Sequence, residues 1–142
     1  MILPDVNVLI YAFRTDTPQH SICNPWLNGV IASGANFAIS LLALCVVARI
    51  TTDRRIYDTP STLEEVFKFS DYLIQQPHCQ LIEPGERHWR IFRDLSLSTD
   101  TRGRRVSDTW YAALAIEHGC EWITFDRDYA RFPGLKWRTP SA

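Results

Sequence analysis

Short, dense apolar runs alternate along the chain with longer amphipathic stretches. The runs at 1–5, 36–40, 79–84, 120–125 and 135–138 read as strands. Between them, apolar residues spaced three and four apart predict helices. One follows the first strand directly, over 7–14, and a second occupies 17–34 through Ile22, Trp26 and Val30, with Gly34 as its stop. Pro25 falls inside that second segment and predicts a kink or a division in two. A third helix runs from Leu41 to about Thr52. Thr62 followed by Glu65 fits a capping box that opens a fourth through Val66, Phe69, Leu73 and Ile74. "GERHWRIFRDLSL" puts Trp89, Phe92 and Leu95 on one helical face, and "STDTRGRR" is a polar loop. "VSDTWYAALAIEHG" turns Ala112, Ala113, Ala115 and Ile116 inward and closes on Gly119. Strands alternating with helices throughout predict an α/β fold with a mainly parallel sheet.

Composition bounds this picture without redirecting it. A chain of 142 residues, 46% hydrophobic and 22% charged, is expected to be a single domain over 1–142. The longest apolar run, 37–48, is well short of the ~20 residues that span a bilayer. The N-terminus shows no basic start followed by a cleavage site, so a soluble cytoplasmic protein is expected. Cys23, Cys45, Cys79 and Cys120 form no C-x-x-C and no zinc-ligand spacing, and read as core thiols. A net charge of −1 does not favour nucleic acid, but thirteen arginines against two lysines give a weak hint, since the guanidinium fork matches phosphate.

The acids change the picture more. In "MILPDVNVLIYAF" an aspartate stands at the joint between an apolar strand and an apolar helix. Helix capping explains such a residue taken alone. Yet Asp126 and Asp128 also follow a predicted strand, and Asp108 lies in the first turn of the helix before it. In open α/β sheets, ligands bind beyond the carboxyl ends of the strands. Two carboxylates ~4 Å apart repel by about 4 kcal/mol at an effective dielectric near 20, so a cluster needs protons or a cation. An all-oxygen set suits Mg²⁺ or Mn²⁺, and such a site suits phosphodiester hydrolysis by a metal-activated water. No histidine is needed as base, and His20, His78, His88 and His118 read as surface or helix-end residues.

The blocks "PDVNVLIYAF", "VSDTWYAALAIEHG" and "ITFDRDYARFPGLKW", in this order over essentially the whole chain, resemble the PIN-domain ribonucleases, above all the VapC toxins of bacterial toxin–antitoxin pairs. The resemblance implies a three-layer α/β/α fold, a Mg²⁺- or Mn²⁺-dependent endoribonuclease, a VapB-type antitoxin that occupies the active site, and a homodimer. It implies Asp5, Asp108 and Asp126 as metal-binding catalytic acids, Asp128 as a supporting acid, and Asn7 as the residue that orients Asp5 by a hydrogen bond. One feature departs from the pattern. Many VapC proteins carry a glutamate in the helix after the second strand, whereas no acid occurs here between Asp16 and Asp53, and the position falls around Cys45 or Val46. A second tightly bound metal is therefore in doubt.

Arg102, Arg104 and Arg105 precede Asp108 and are candidate contacts for RNA phosphates, against the alternative of a solvated loop. Trp26, Trp89, Trp110, Trp122 and Trp137 could stack bases, but their positions favour core packing. Among rivals, a phosphate-receiver domain wants a lysine near the acids, and Lys68 and Lys136 are poorly placed. A haloacid-dehalogenase-type phosphatase wants an aspartate where Asn7 stands. A catalytically inactive PIN-fold module that only pairs with an antitoxin stays open because of the missing glutamate.

Overall fold

A computed structural model of the chain describes residues 1–141. Its strands are β1 (Ile2–Pro4), β2 (Phe37–Ser40), β3 (Cys79–Ile82), β4 (Glu121–Ile123) and β5 (Trp137–Arg138). They form one sheet in the order β3-β2-β1-β4-β5, every neighbouring pair parallel. The central strands bury Leu3, Phe37, Ile39, Trp122 and Ile123 completely, which accounts for their unbroken apolar sequence.

The helices are α1 (Val6–Phe13), α2 (His20–Ala32), α3 (Leu41–Thr51), α4 (Leu63–Ile74), α5 (His88–Ser98) and α6 (Arg105–Glu117), with a 3₁₀ turn at Arg127–Arg131. The chain steps outward from β1 to β2 to β3 through α1–α4, then returns past β1 to β4 through α5 and α6. Right-handed crossovers in opposite directions put the two helix sets on opposite faces, which gives three layers. The packing agrees, with α1 against α2 and α3, α3 against α4, and α5 against α6.

Most expected elements are present with strands shortened at their ends. The Thr62 capping box forms, with Glu65 N–H donating to Thr62 Oγ1 at 3.1 Å and Thr62 N–H to Glu65 Oε1 at 3.3 Å. Gly34 and Gly119 follow α2 and α6 at φ +71° and +64°, where a side chain is strained. Three readings are corrected. Pro25 does not divide α2, which runs unbroken through it, because a proline this close to the start removes only one helical bond. On α5 the buried stripe includes His88 and Leu95, and Trp89 is 69% exposed; His88 is held by its Nε2–H donating to Trp110 O at 3.0 Å. Cys45 is exposed on α3, while Cys23 and Cys120 are core thiols and Cys79 is half-buried. Among the described residues no helix is long and apolar enough to cross a membrane.

Candidate active site

β1 and β4 lie side by side, but the chain leaves β1 toward β2 and β4 toward β5. This reversal opens a crevice beyond their carboxyl ends, the usual ligand position in such sheets. The register pairs Pro4 with Ile123, so Asp5 and Thr124 emerge together, and Asp5 N–H donates to Ile123 O at 2.9 Å.

Asp5 stands at the N-cap position of α1 with extended backbone, yet its side chain makes no capping bond. Its Oδ2 instead accepts the Thr124 hydroxyl at 2.6 Å, and the residue is only 7% exposed. Capping therefore does not explain it. Thr124 Oγ1 also accepts Asp126 N–H at 3.0 Å, tying the two strand ends together. Asp126 Oδ1 accepts Asp128 N–H at 2.9 Å and so caps the 3₁₀ turn with one oxygen. Asp108 projects from the first turn of α6, where its Oδ1 accepts the Tyr129 hydroxyl at 3.4 Å.

Asp5, Asp108 and Asp126 all line one cavity of about 500 Å³. Burial pushes the Asp5 carboxyl up to about 6, the Thr124 bond opposes this, and the charges of Asp108 and Asp126 add to it. Burial, then the Asp126 charge, likewise raises Asp108. The carboxyls are thus close enough to disfavour one another's ionisation, a repulsion that a bound cation would relieve. Among the described residues, no three His, Cys, Asp or Glu side chains form a ready-made cage. The donor set still fits Mg²⁺ or Mn²⁺, which take one or two carboxylates and keep several waters, and fits a closed four-ligand zinc site poorly.

The other candidates separate. Asn7 lines the cavity but is exposed and makes no hydrogen bond to Asp5, so the orienting bond expected of it is supplied by Thr124. Asp128 is outside the main cavity and pairs with Arg105 Nη1 at 2.5 Å. With Arg104, Arg105, Asp108 and Asp126 it borders a shallower hollow next door. Arg102 lies further off and pairs with Asp100 at 3.0 Å. Arg104 is exposed and, among the described residues, has no ion-pair partner.

Three cavity residues escape a motif reading, Tyr129, Tyr111 and Arg49, and so does the buried Thr124 that holds Asp5. Thr124 carries no signal of its own in the sequence and is found beside Asp5 only once the register of β1 and β4 is known. Tyr129 and Tyr111 look like core aromatics and are buried like them. Arg49 is the one charge in an apolar helix, and Leu42, Val46, Arg49 and Ile50 share its cavity-facing stripe. That helix brings the cavity a cation and no acid.

The PIN domain family model matches residues 2–135, and the chain belongs to that family. Among curated proteins it is similar to Ribonuclease VapC25 and Ribonuclease VapC31 of Mycobacterium tuberculosis, each 36% identical over 140 residues and covered over 99% of both chains. Among solved structures, VapBC2 from Rickettsia felis, bound to a DNA fragment from its promoter, matches with a TM-score of 0.72 at 16% identity over 98% of both chains. VapBC-1 from nontypeable Haemophilus influenzae matches with a TM-score of 0.69 at 13% identity, also over 98% of both chains. At such identities the structures establish the fold, which is the α/β/α arrangement described above.

Proposed function

We propose that the chain is the toxin of a type II toxin–antitoxin pair, a cytoplasmic Mg²⁺- or Mn²⁺-dependent endoribonuclease that hydrolyses RNA phosphodiester bonds. The observation that carries this is the convergence of Asp5, Asp108 and Asp126 on one cavity at the switch point of the sheet. Relatives named as ribonucleases, at 36% identity over nearly full length, support it. The solved VapBC assemblies support a VapB-type antitoxin as partner, and a homodimer belongs to the same proposal.

In this reading Asp5, Asp108 and Asp126 would hold a Mg²⁺ or Mn²⁺ ion, which would supply Lewis acidity for water activation and charge neutralisation at the phosphate. Thr124 fixes Oδ2 of Asp5, which holds the carboxyl at the cavity wall. Tyr129 orients Asp108 from beneath, and its own burial keeps the phenol protonated as a donor. Phe92 and Trp110 narrow the cavity with apolar surface, which lowers the local dielectric and strengthens every charge interaction inside.

Cleavage of end-labelled total RNA by purified protein, freed of antitoxin, tests the proposal. Fragments are expected with Mg²⁺ or Mn²⁺ and not with EDTA, and an Asp108→Ala variant purified identically should lose them. Equal or absent cleavage in both proteins overturns the enzyme and favours an inactive module that binds antitoxin, a reading the acid-free α3 supports.

A further inference from the structure

Resting on the ribonuclease reading, we propose that Arg49 is a substrate-positioning residue. Its guanidinium holds the scissile phosphate in the acid cavity and supplies the second positive charge that a further metal-binding carboxylate and its ion would otherwise bring.

Arg49 is the only charged residue of α3, and it faces the cavity that Asp5, Asp108 and Asp126 line. Among the described residues it forms no ion pair and its side chain makes no hydrogen bond. Arg14, Arg55, Arg93, Arg102, Arg105 and Arg138, by contrast, are each paired to a carboxylate. A free guanidinium therefore shares a cavity with three carboxylates without closing on any of them. A group that bridges the two must be anionic toward Arg49 and metal-binding toward the acids. A phosphodiester satisfies both, and the guanidinium fork matches two of its oxygens.

A second observation points to a ligand in the same place. Tyr111 borders the cavity and is 7% exposed, and its hydroxyl has no hydrogen-bond partner. Asp5, Asp108 and Arg49 line the same cavity as this tyrosine. An unpaired buried hydroxyl is costly, and a ligand oxygen that accepts its hydrogen bond relieves that cost. During hydrolysis, the water oxygen bonds to phosphorus and yields its proton to solvent. The bridging P–O bond breaks with its electron pair going to the leaving ribose oxygen, which solvent protonates, and negative charge grows on the phosphoryl oxygens in between. A fixed cation stabilises that charge. No proton passes through Arg49, which acts by its charge and its paired donors alone.

The test uses the full chain, wild type beside Arg49→Ala, Arg49→Lys and, as a control on a distant exposed charge, Arg90→Ala. Binding of a fluorescent single-stranded RNA oligonucleotide is followed in EDTA, where nothing is cleaved, across a range of salt. Arg49→Ala should bind about tenfold more weakly at low salt and lower the salt slope by about one. Arg90→Ala should change neither, and Arg49→Lys should keep the slope. In single-turnover cleavage with Mn²⁺, Arg49→Ala should lose on the order of 10²–10³ in rate. Arg49→Lys should recover only part of it, with Mn²⁺ affinity unchanged throughout. Arg49 is exposed in the last turn of α3, so Ala should lower the melting temperature only slightly, by the loss of a cation from the helix C-terminus. An unchanged salt slope, or a rate loss matched by lost Mn²⁺ affinity, overturns the proposal. If wild type cleaves nothing even with Mg²⁺ or Mn²⁺ present, the ribonuclease reading fails by itself, and the binding arm still decides whether Arg49 meets phosphate.

Discussion

Asp5 keeps a carboxyl where burial makes ionisation costly, and the consequence is measurable without substrate. Its value in the folded chain is raised from 3.8 to about 6. The neutral form is therefore favoured by folding. This stabilisation is complete below the unfolded value of 3.8 and lost as pH rises through about 6. At pH 7.5, the metal-free protein should carry a penalty of about 3 kcal/mol from this group. Asp5→Asn keeps an oxygen for the Thr124 hydroxyl and removes the charge. In EDTA it should unfold at higher urea than wild type at pH 7.5, with the difference vanishing near pH 3.5. A less stable Asp5→Asn at pH 7.5 would show that the charge is compensated in the folded chain.

Thr124 gives a second residue-scale expectation. Thr124→Val strands the Asp126 N–H and removes the donor to Asp5, both in buried surroundings. It should cost about 1–3 kcal/mol in urea unfolding. At this scale the acids were legible because three carboxylates at strand and helix ends are too many to be caps. Thr124 was not, because a threonine after a strand carries no chemical signal until the register is known.

At the scale of elements, the loop ahead of α5 is held by one side chain of α6. Glu117 Oε1 accepts Gly85 N–H at 2.7 Å and Oε2 accepts Arg87 N–H at 2.9 Å, while Arg87 Nη2 donates to Glu117 O at 2.7 Å. A Cβ on residue 85 would stand 2.9 Å from Glu117 Oε2, so the loop closes on the carboxylate only with glycine there. Glu117→Ala should cost about 2–3 kcal/mol in chemical unfolding, as expected for lost charge-assisted bonds. Gly85→Ala should weaken the same clasp, and the pair should be less than additive in a double-mutant cycle, since one contact underlies both. The sequence shows why such a clasp is needed without showing the clasp. The apolar spacing of α5 predicts Trp89, Phe92 and Leu95 inward; Leu95 and Phe92 do pack on the core, but His88 is buried in place of Trp89. Large aromatic residues bias a periodicity reading; the hydrogen bond from His88 to Trp110 O, which sets the actual phase, is a tertiary contact.

Across the whole molecule, the alternation of strands and helices fixed a parallel α/β sheet, and handedness rules then leave few topologies. The strand order, and with it the identity of the crevice, required coordinates. So did the state of the arginines before α6, which the sequence presents as three equal candidates. Arg102 is neutralised by Asp100 and Arg105 by Asp128, whereas Arg104 is exposed beside the hollow that Asp108 and Asp126 border. With a net charge of −1 the chain offers RNA no overall attraction, so encounter must rest on local cations. If RNA crosses this rim on its way to the acids, the three arginines should not contribute equally. Arg104→Ala should weaken RNA binding and lower the salt slope by about one, and Arg102→Ala should leave both unchanged. Arg105→Ala should act mainly through Asp128, freeing a carboxylate at the rim, and Asp128→Asn in the same chain should restore part of the binding. Equal effects from all three would mean that the ion pairs open on contact with RNA and that the rim acts by total charge alone.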